Sequence, residues 1–495
     1  MWHKNKYQVI LFFLLSFIGN SLYSKQIQWQ KLAYQDLKAA HNYLLDDSAG
    51  GVDKNNLHFT NWLDLGYQQA RLLTKQVNSA SSYNLVMNYY LNGFADQHVE
   101  YMPFLKRFDF ERFWPGFTVY YQNRRFYVSG LAYDKNLSSL PPKGAQLISC
   151  DGRKPATLMK TQVFPYFGNP NLQASWFINA PRLFFYYPNS WLKRLHYCKV
   201  LYHGKVNRYT LNWQPISQVH AFQLRQLASY PYQGNLKITP FTKNGVWLSL
   251  STFMPETKRQ EEKLHNIISA AKNWRSKKII IIDVRGNTGG NSFWGTKLLK
   301  SLYGEKYFQQ QMRTLSMPIY QWRVSAGNID ELSGFYLHYA KQNFAKNSVM
   351  ILWLENTIAG MRKALKEKQT YFPNRVRIEP KLPLTKTKNF INPVQGKIYL
   401  LTDGRCASSC LTFIEQLSQF PNIIQIGQAT NADSYYTESR LVHLPSGAHL
   451  YFPIKVQRYR QRGRNQPYVP KGKYYYQGDI NNTTRIRKWI KKSFL

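Results

Sequence analysis

Apolar positions change their spacing several times along the chain, and each change marks a different element type. Between about residues 26 and 112 they recur at helical intervals, as at Leu63, Tyr67, Ala70 and Leu73, which predicts a helical N-terminal domain. From Phe117 the pattern shortens to β-rich runs, TVYY at 118–121 and RFYV at 125–128, and closes on turn residues such as Gly144 and Gly152, which predicts a small β domain. The stretch 166–235 is aromatic and is interrupted by Pro181, Pro188, Pro215 and Pro231, so it reads as a connecting layer without a long helix.

A clear α/β signal follows. GVWLSL at 245–250 predicts a strand, and 256–274 a helix with Leu264, Ile267, Ile268, Ala271 and Trp274 on one face. Isoleucines at 279–282 predict a strand buried on both faces, whose end delivers DVRGNTGG at 283–290 into a loop before a helix over 293–302. A second unit of the same kind is the strand 396–402, a turn, and an amphipathic helix after Arg405. The residues between the units, about 304–393, are too many for a loop and predict an insertion with its own helices. The expected division is therefore 25–113 helical, 114–165 β module, 166–235 connecting, 236–475 α/β core and 476–495 a C-terminal tail.

Composition narrows the class. The chain has 495 residues, 44% of them hydrophobic, which supports several folded cores and excludes a small disulfide-stapled peptide or bulk disorder. Its formal net charge of +40 attracts polyanions, including an anionic envelope surface. The basic residues are scattered, with neither zinc-finger spacing nor a basic region feeding heptads, so specific nucleic-acid recognition is not expected.

Lys4 and Lys6, the apolar run 9–18 and small residues at Gly19, Ser21 and Ser24 predict a signal peptide over 1–24, hence export to a periplasmic or secreted location, with an uncleaved anchor as the alternative. Export makes disulfides possible for Cys150, Cys198, Cys406 and Cys410, whose pairing the sequence leaves open alongside buried free thiols. A zinc site is not expected, because Cys406 and Cys410 have no second close Cys or His pair.

Ser408 falls where a strand ends and a helix begins, a position that exposes a hydroxyl where helix N-terminal amides stabilise an oxyanion. An N-cap role for Ser408 or Ser409 explains the same residues equally well, and the glycines at 286–290 suit either a tight turn or a backbone that must approach a reacting carbonyl.

Four segments, in order, resemble the C-terminal-processing (tail-specific) serine proteases: FADQHVEY at 94–101, LPPKGAQLISCDGRKP at 140–155, IIIIDVRGNTGG at 279–290 and YLLTDGRCASSC at 399–410. The resemblance implies a multidomain α/β fold with a helical N-terminal domain, a PDZ-like β module at 114–165, and a ββα-repeat core of ClpP/crotonase type carrying a helical insertion. It implies an endopeptidase that acts on polypeptides, needs neither cofactor nor metal, and uses Ser408 as nucleophile with Ser409 and Gly289 amides as oxyanion hole.

Many members place a lysine base downstream, but the corresponding segment GQATNAD at 427–433 ends in Asp433, so the Ser–Lys dyad is absent. The chain is then more similar to the tricorn-core and chlamydial protease-like activity factor type. That type implies His98 as base and a third residue at Gln466, where relatives carry Glu before Pro; Asp433 or Glu438 are the substitutes. Gln orients an imidazole but supplies no charge to imidazolium, so weaker catalysis is expected. A catalytically inactive relative serving as a peptide- or ligand-binding module is the rival reading. Oligomeric state is not legible.

Overall fold

A computed structural model describes residues 28–103, 111–131, 140–229, 234–312, 319–341, 349–373, 390–460 and 462–495. The expected signal segment 1–24 lies outside the described residues. Among them no helix is long and apolar enough to cross a membrane.

The centre is a five-stranded sheet in the order Ile423–Gly427, Lys397–Thr402, Ile279–Asp283, Gly245–Leu250 and Leu236–Thr242. The first four strands are parallel and the last is antiparallel. Alternation along the isoleucine run settles both faces. Ile280 and Ile282 pack under the helices Lys258–Ala270, Ser292–Tyr303 and Ser409–Leu417, while Ile281 faces the opposite side with Trp247, Tyr399 and Leu401. That opposite side is closed by the helix Thr483–Phe494 through Ile486 and Ile490. The segment 476–495, expected to be a tail, thus completes the core.

A second five-stranded sheet is antiparallel: Thr118–Gln122, Arg125–Ser129, Gln146–Cys150, Tyr197–Tyr202 and Lys205–Thr210. Cys150 and Cys198 are cross-strand partners in it and form a disulfide. The stretch 166–235, read as connecting, therefore supplies two of its strands; pairing of Gln146 with Leu201 is long-range and leaves no local pattern.

The third sheet gathers Glu100–Met102, His449–Arg458, Ile319–Arg323 and Tyr371–Pro373, with Tyr436–His443 also on the long strand His449–Arg458. Its apolar face shares one core with the N-terminal helices, residues 28–46, Leu57–Thr74 and Ala80–Asn92, and with the insertion helices Ala326–Lys341 and Val349–Lys366. Asn56 and Ser79 cap two of those N-terminal helices, the latter in a reciprocal capping box with Ser82. Neither the N-terminal helices nor the insertion buries its apolar stripe alone, so these helices and this sheet form one packing unit.

Candidate active site

The strand Lys397–Thr402 ends at the C-terminal edge of the central sheet, and the turn after it leads into the helix Ser409–Leu417. Ser408 occupies the N-cap with φ 53° and ψ −121°, a left-handed backbone that costs a non-glycine residue about 1–3 kcal/mol. Its hydroxyl does not cap the helix. Only its carbonyl joins the helix, accepting from the N–H groups of Leu411 at 2.9 Å and Thr412 at 3.2 Å. A capping serine needs neither the strain nor the unused hydroxyl; a nucleophile held toward solvent at a helix N-terminus uses both.

Three restraints hold this turn. Buried Asp403 accepts from Gly286 N–H at 3.0 Å and 3.1 Å through its two oxygens, and from Arg405 N–H at 3.0 Å, which ties the Ser408 turn to the glycine loop. Burial pushes the Asp403 carboxyl up to about 6, against the pull of those amides and of Arg285. Cys406 and Cys410 form a disulfide that brackets Ser408. Ala407 N–H donates to Asn287 carbonyl oxygen at 3.3 Å.

Gly289 lies directly against Ser408. With φ 104°, a Cβ built on it would come within 2.8 Å of Ala407 O, 2.9 Å of Ser408 Cβ and 3.0 Å of Ser409 N. The close approach that glycine permits is therefore used here. The Gly289 N–H, expected in the oxyanion hole, donates to Asn287 Oδ1 at 2.9 Å, so it reaches an oxyanion only by exchanging that acceptor. Asn287 is itself fixed by its Nδ2 donating to Leu250 O at 2.8 Å. Ser409 N–H, in the first helical turn, donates to no carbonyl among the described residues.

His98 arrives from the other packing unit. Gln97 beside it donates to Asn431 Oδ1 at 2.8 Å and Ala432 O at 2.9 Å, and Asn431 N–H donates to Cys406 O at 3.1 Å, two residues before Ser408. Loop 95–98 is thereby docked beside the Ser408 turn, although among the described residues His98 and Ser408 share no hydrogen bond. Asp96 holds His98: its Oδ1 accepts the His98 backbone N–H at 2.8 Å and lies 3.4 Å from imidazole Nδ1, within charge reach but longer than a formed hydrogen bond. Its Oδ2 accepts from Ser434 Oγ at 2.6 Å. Burial pulls the His98 pKa down, but the contact and charge of Asp96 and the charge of Asp433 outweigh it, so the net shift is upward despite Arg460.

Among the described residues Gln466 makes no hydrogen bond to the His98 imidazole. Its side-chain oxygen accepts from Gly463 N–H at 2.9 Å, closing its own exposed turn. Asp433 is buried and bound by Arg460, at 2.9 Å, and by Arg462. Glu438 pairs with Lys455 at 3.0 Å on the third sheet. The carboxylate beside the His98 imidazole is Asp96, which the segment FADQHVEY places two residues before the histidine, where the sequence reads it equally as the neighbour of a capping or packed histidine; Asn287 and Asp403 carried no signal beyond their place in the two loops.

Residues 234–468 match the model of peptidase family S41. The fold is similar to the crystal structure of mature CPAF, with a TM-score of 0.61 at 14% identity, covering 94% of this chain and 99% of that one. It is equally similar to mature CPAF complexed with lactacystin, with a TM-score of 0.60 at 16% identity over 94% and 97% of the two chains. No curated protein matches the chain. The α/β core that carries the strained serine turn and the glycine loop packed against it thus matches peptidase family S41 over residues 234–468, and this match supports a serine-type peptidase.

Proposed function

We propose that the protein is an exported endopeptidase that cleaves polypeptides by acyl transfer through Ser408. The observation that carries this reading is the Ser408 backbone, held left-handed with its hydroxyl unused and with Gly289 so near that a Cβ there would come within 2.9 Å of Ser408 Cβ. His98, neutral above its raised pKa, takes the hydroxyl proton as the Oγ attacks the scissile carbonyl, and gives it to the leaving amine. Asp96 holds the imidazole and supplies the negative charge that Gln466 lacks. Ser409 N–H stabilises the oxyanion, joined by Gly289 N–H once substrate displaces Asn287. Water then hydrolyses the acyl-enzyme by the same base. The 3.4 Å separation at Nδ1 suits a site that tightens on binding substrate.

The antiparallel sheet over 118–210 is the proposed PDZ-like module, and its outer strand Lys205–Thr210, exposed over most of its length, suits recognition of an extended chain by strand addition. The central sheet with its covering helices is the proposed ClpP/crotonase-like core. A fluorophosphonate probe tests the reading: wild type should be labelled, Ser408→Ala should not, and His98→Ala should label far more slowly. Loss of labelling in wild type, with peptide binding retained at 118–210, would transfer the assignment to the binding-module reading.

A second reading concerns location and rests on charge. Lys243, Lys278 and Lys397 are exposed and line the N-terminal edge of the central sheet, linked by Lys278 N–H to Asn244 O and Lys397 N–H to Lys278 O, both 3.0 Å. The end of the helix Thr483–Phe494 reaches the same edge, where Phe494 stacks on Tyr399, and adds exposed Lys488, Lys491 and Lys492. Among the described residues none of these six lysines pairs with a carboxylate. We infer that this edge, opposite the end bearing Ser408, rests on an anionic lipid surface. Cosedimentation with phosphatidylglycerol vesicles should be lost in Lys243→Glu/Lys278→Glu/Lys397→Glu and at high salt; salt-insensitive or unchanged binding refutes it.

A further inference from the structure

We propose that the Cys406–Cys410 disulfide is a lock that positions Ser408, set when the exported chain is oxidised, so that the reduced chain carries the serine without the geometry that activates it. The proposal rests on the reading of Ser408 as nucleophile.

The bond joins the turn before Ser408 to the first turn of the helix after it, with 5.4 Å between the two Cα atoms, and so closes a short ring around Ala407, Ser408 and Ser409. Inside that ring sits the left-handed Ser408 backbone, which relaxes to an ordinary helical or extended conformation unless its surroundings forbid it. Serine at a helix N-terminus otherwise turns its hydroxyl onto the backbone as a cap, and that is the competing state in which the nucleophile is lost. The hydrogen bonds that Cys406 and Ala407 donate on the approach to Ser408 are long, 3.2 Å to Asp403 O and 3.3 Å to Asn287 O, while those on the helix side, such as Leu411 N–H to Ser408 O at 2.9 Å, are shorter. The covalent bridge is the restraint that does not fluctuate.

Both cysteines are 0% exposed and lie in the apolar layer with Leu411, Phe413 and Ile414. A reductant has no access to them in the folded protein, so the lock is set during folding and is not cycled afterwards. Formation follows thiol–disulfide exchange: one Cys thiolate attacks the disulfide of an oxidant, the second thiolate displaces the mixed disulfide, and two protons and two electrons leave the cysteines as the oxidant becomes two thiols. In a reducing compartment this does not proceed, and the enzyme is held slow until export. Cys150–Cys198, which bridges neighbouring strands of another sheet, has no such relation to Ser408 and serves as the control.

The test uses full-length mature protein in four forms: oxidised wild type, wild type unfolded and refolded under reductant, Cys406→Ala/Cys410→Ala, and Cys150→Ala/Cys198→Ala. Alanine is chosen because the sites are dry. Fluorophosphonate labelling rate, amide hydrogen exchange over 405–412 and thermal unfolding are measured on each. Reduced wild type and Cys406→Ala/Cys410→Ala should remain folded, label roughly ten- to a hundredfold more slowly and lose amide protection at 408–411, as expected when a reacting group is displaced by about an ångström. The Cys150→Ala/Cys198→Ala form should change neither local readout. Unchanged labelling and unchanged local protection without the Cys406–Cys410 bond overturn the proposal. Absence of labelling in oxidised wild type would instead refute the nucleophile reading, and the exchange measurement still decides the lock.

Discussion

Asp96→Asn tests the assembly of the site most directly. The carboxylate accepts the His98 backbone N–H at 2.8 Å and the Ser434 hydroxyl at 2.6 Å, and its Oδ1 stands 3.4 Å from imidazole Nδ1. An amide has one acceptor oxygen, so one of the two donors must face an NH2 group, a loss of about 1.5–3 kcal/mol that removal of a buried charge partly offsets. The larger effect is on the imidazolium formed as Ser408 attacks. Unit charges at that 3.4 Å separation attract by roughly 5 kcal/mol at an effective dielectric constant of about 20. His98 keeps 19% of its side chain exposed, so screening takes part of this, and the expected loss in labelling rate is roughly 10²–10⁴-fold. The pH profile carries a second signature. With the neutral imidazole as the proposed base, the rate of wild type should rise with pH through a His98 pKa held above the ordinary 6.5 by Asp96; without that charge the rise should move to lower pH. Second-order fluorophosphonate rate constants from about pH 5 to about pH 9, with thermal unfolding to show that the variant is folded, measure both. A folded Asp96→Asn protein that labels within roughly threefold of wild type, with an unmoved pH limb, refutes the assignment.

Ser408→Gly should abolish labelling while raising stability by about 0.4–1 kcal/mol or slightly more, because glycine adopts φ 53° without strain; urea unfolding that shows destabilisation contradicts the strain argument. Gly289→Ala should fold with a displaced nucleophile turn and label at least roughly a hundredfold more slowly, since its methyl would sit 2.9 Å from Ser408 Cβ; wild-type kinetics would show that the approach is not needed. Asp403 has its folded pKa raised from 3.8 to about 6, so its contribution to stability is greatest below pH 3.8 and falls as pH rises through 6. Denaturation of Asp403→Asn against wild type should show the variant gaining roughly 2–4 kcal/mol between those limits, and a flat difference refutes the argument. Arg285→Met should cost about 3–5 kcal/mol in urea unfolding, because it strands Asp283, buried at 1% exposure and bonded to that guanidinium at 2.6 Å and 2.8 Å.

What was legible in the sequence was what is written locally. The isoleucine run announces a strand with two buried faces, and its alternating residues do enter two different apolar layers. The serine after a strand and before a helix carries its own geometry, though only the backbone angles and the idle hydroxyl separate a nucleophile from a cap. What escaped depends on pairing across long separations. Tyr197–Tyr202 pairs with Gln146–Cys150 through a proline-broken aromatic stretch, so that stretch reads as a connector. The helix Thr483–Phe494 has an obvious basic face, yet only Trp247, Ile281 and Tyr399 from distant strands reveal what its apolar face covers. The resemblance points to Gln466, downstream of the serine, for the third residue, whereas the structure puts a carboxylate, Asp96, beside the histidine in its own loop.

The long strand His449–Arg458 pairs with Glu100–Met102, Ile319–Arg323 and Tyr436–His443, three segments from distant parts of the chain. Such non-local pairings close late and slowly during folding. The loop that carries His98 is anchored through Glu100–Met102 to this strand, so the proposed base takes its place only once that sheet is knitted. If His98 serves Ser408 as proposed, the working site is complete no earlier than this sheet, and a chain that is still folding carries the serine without its partner.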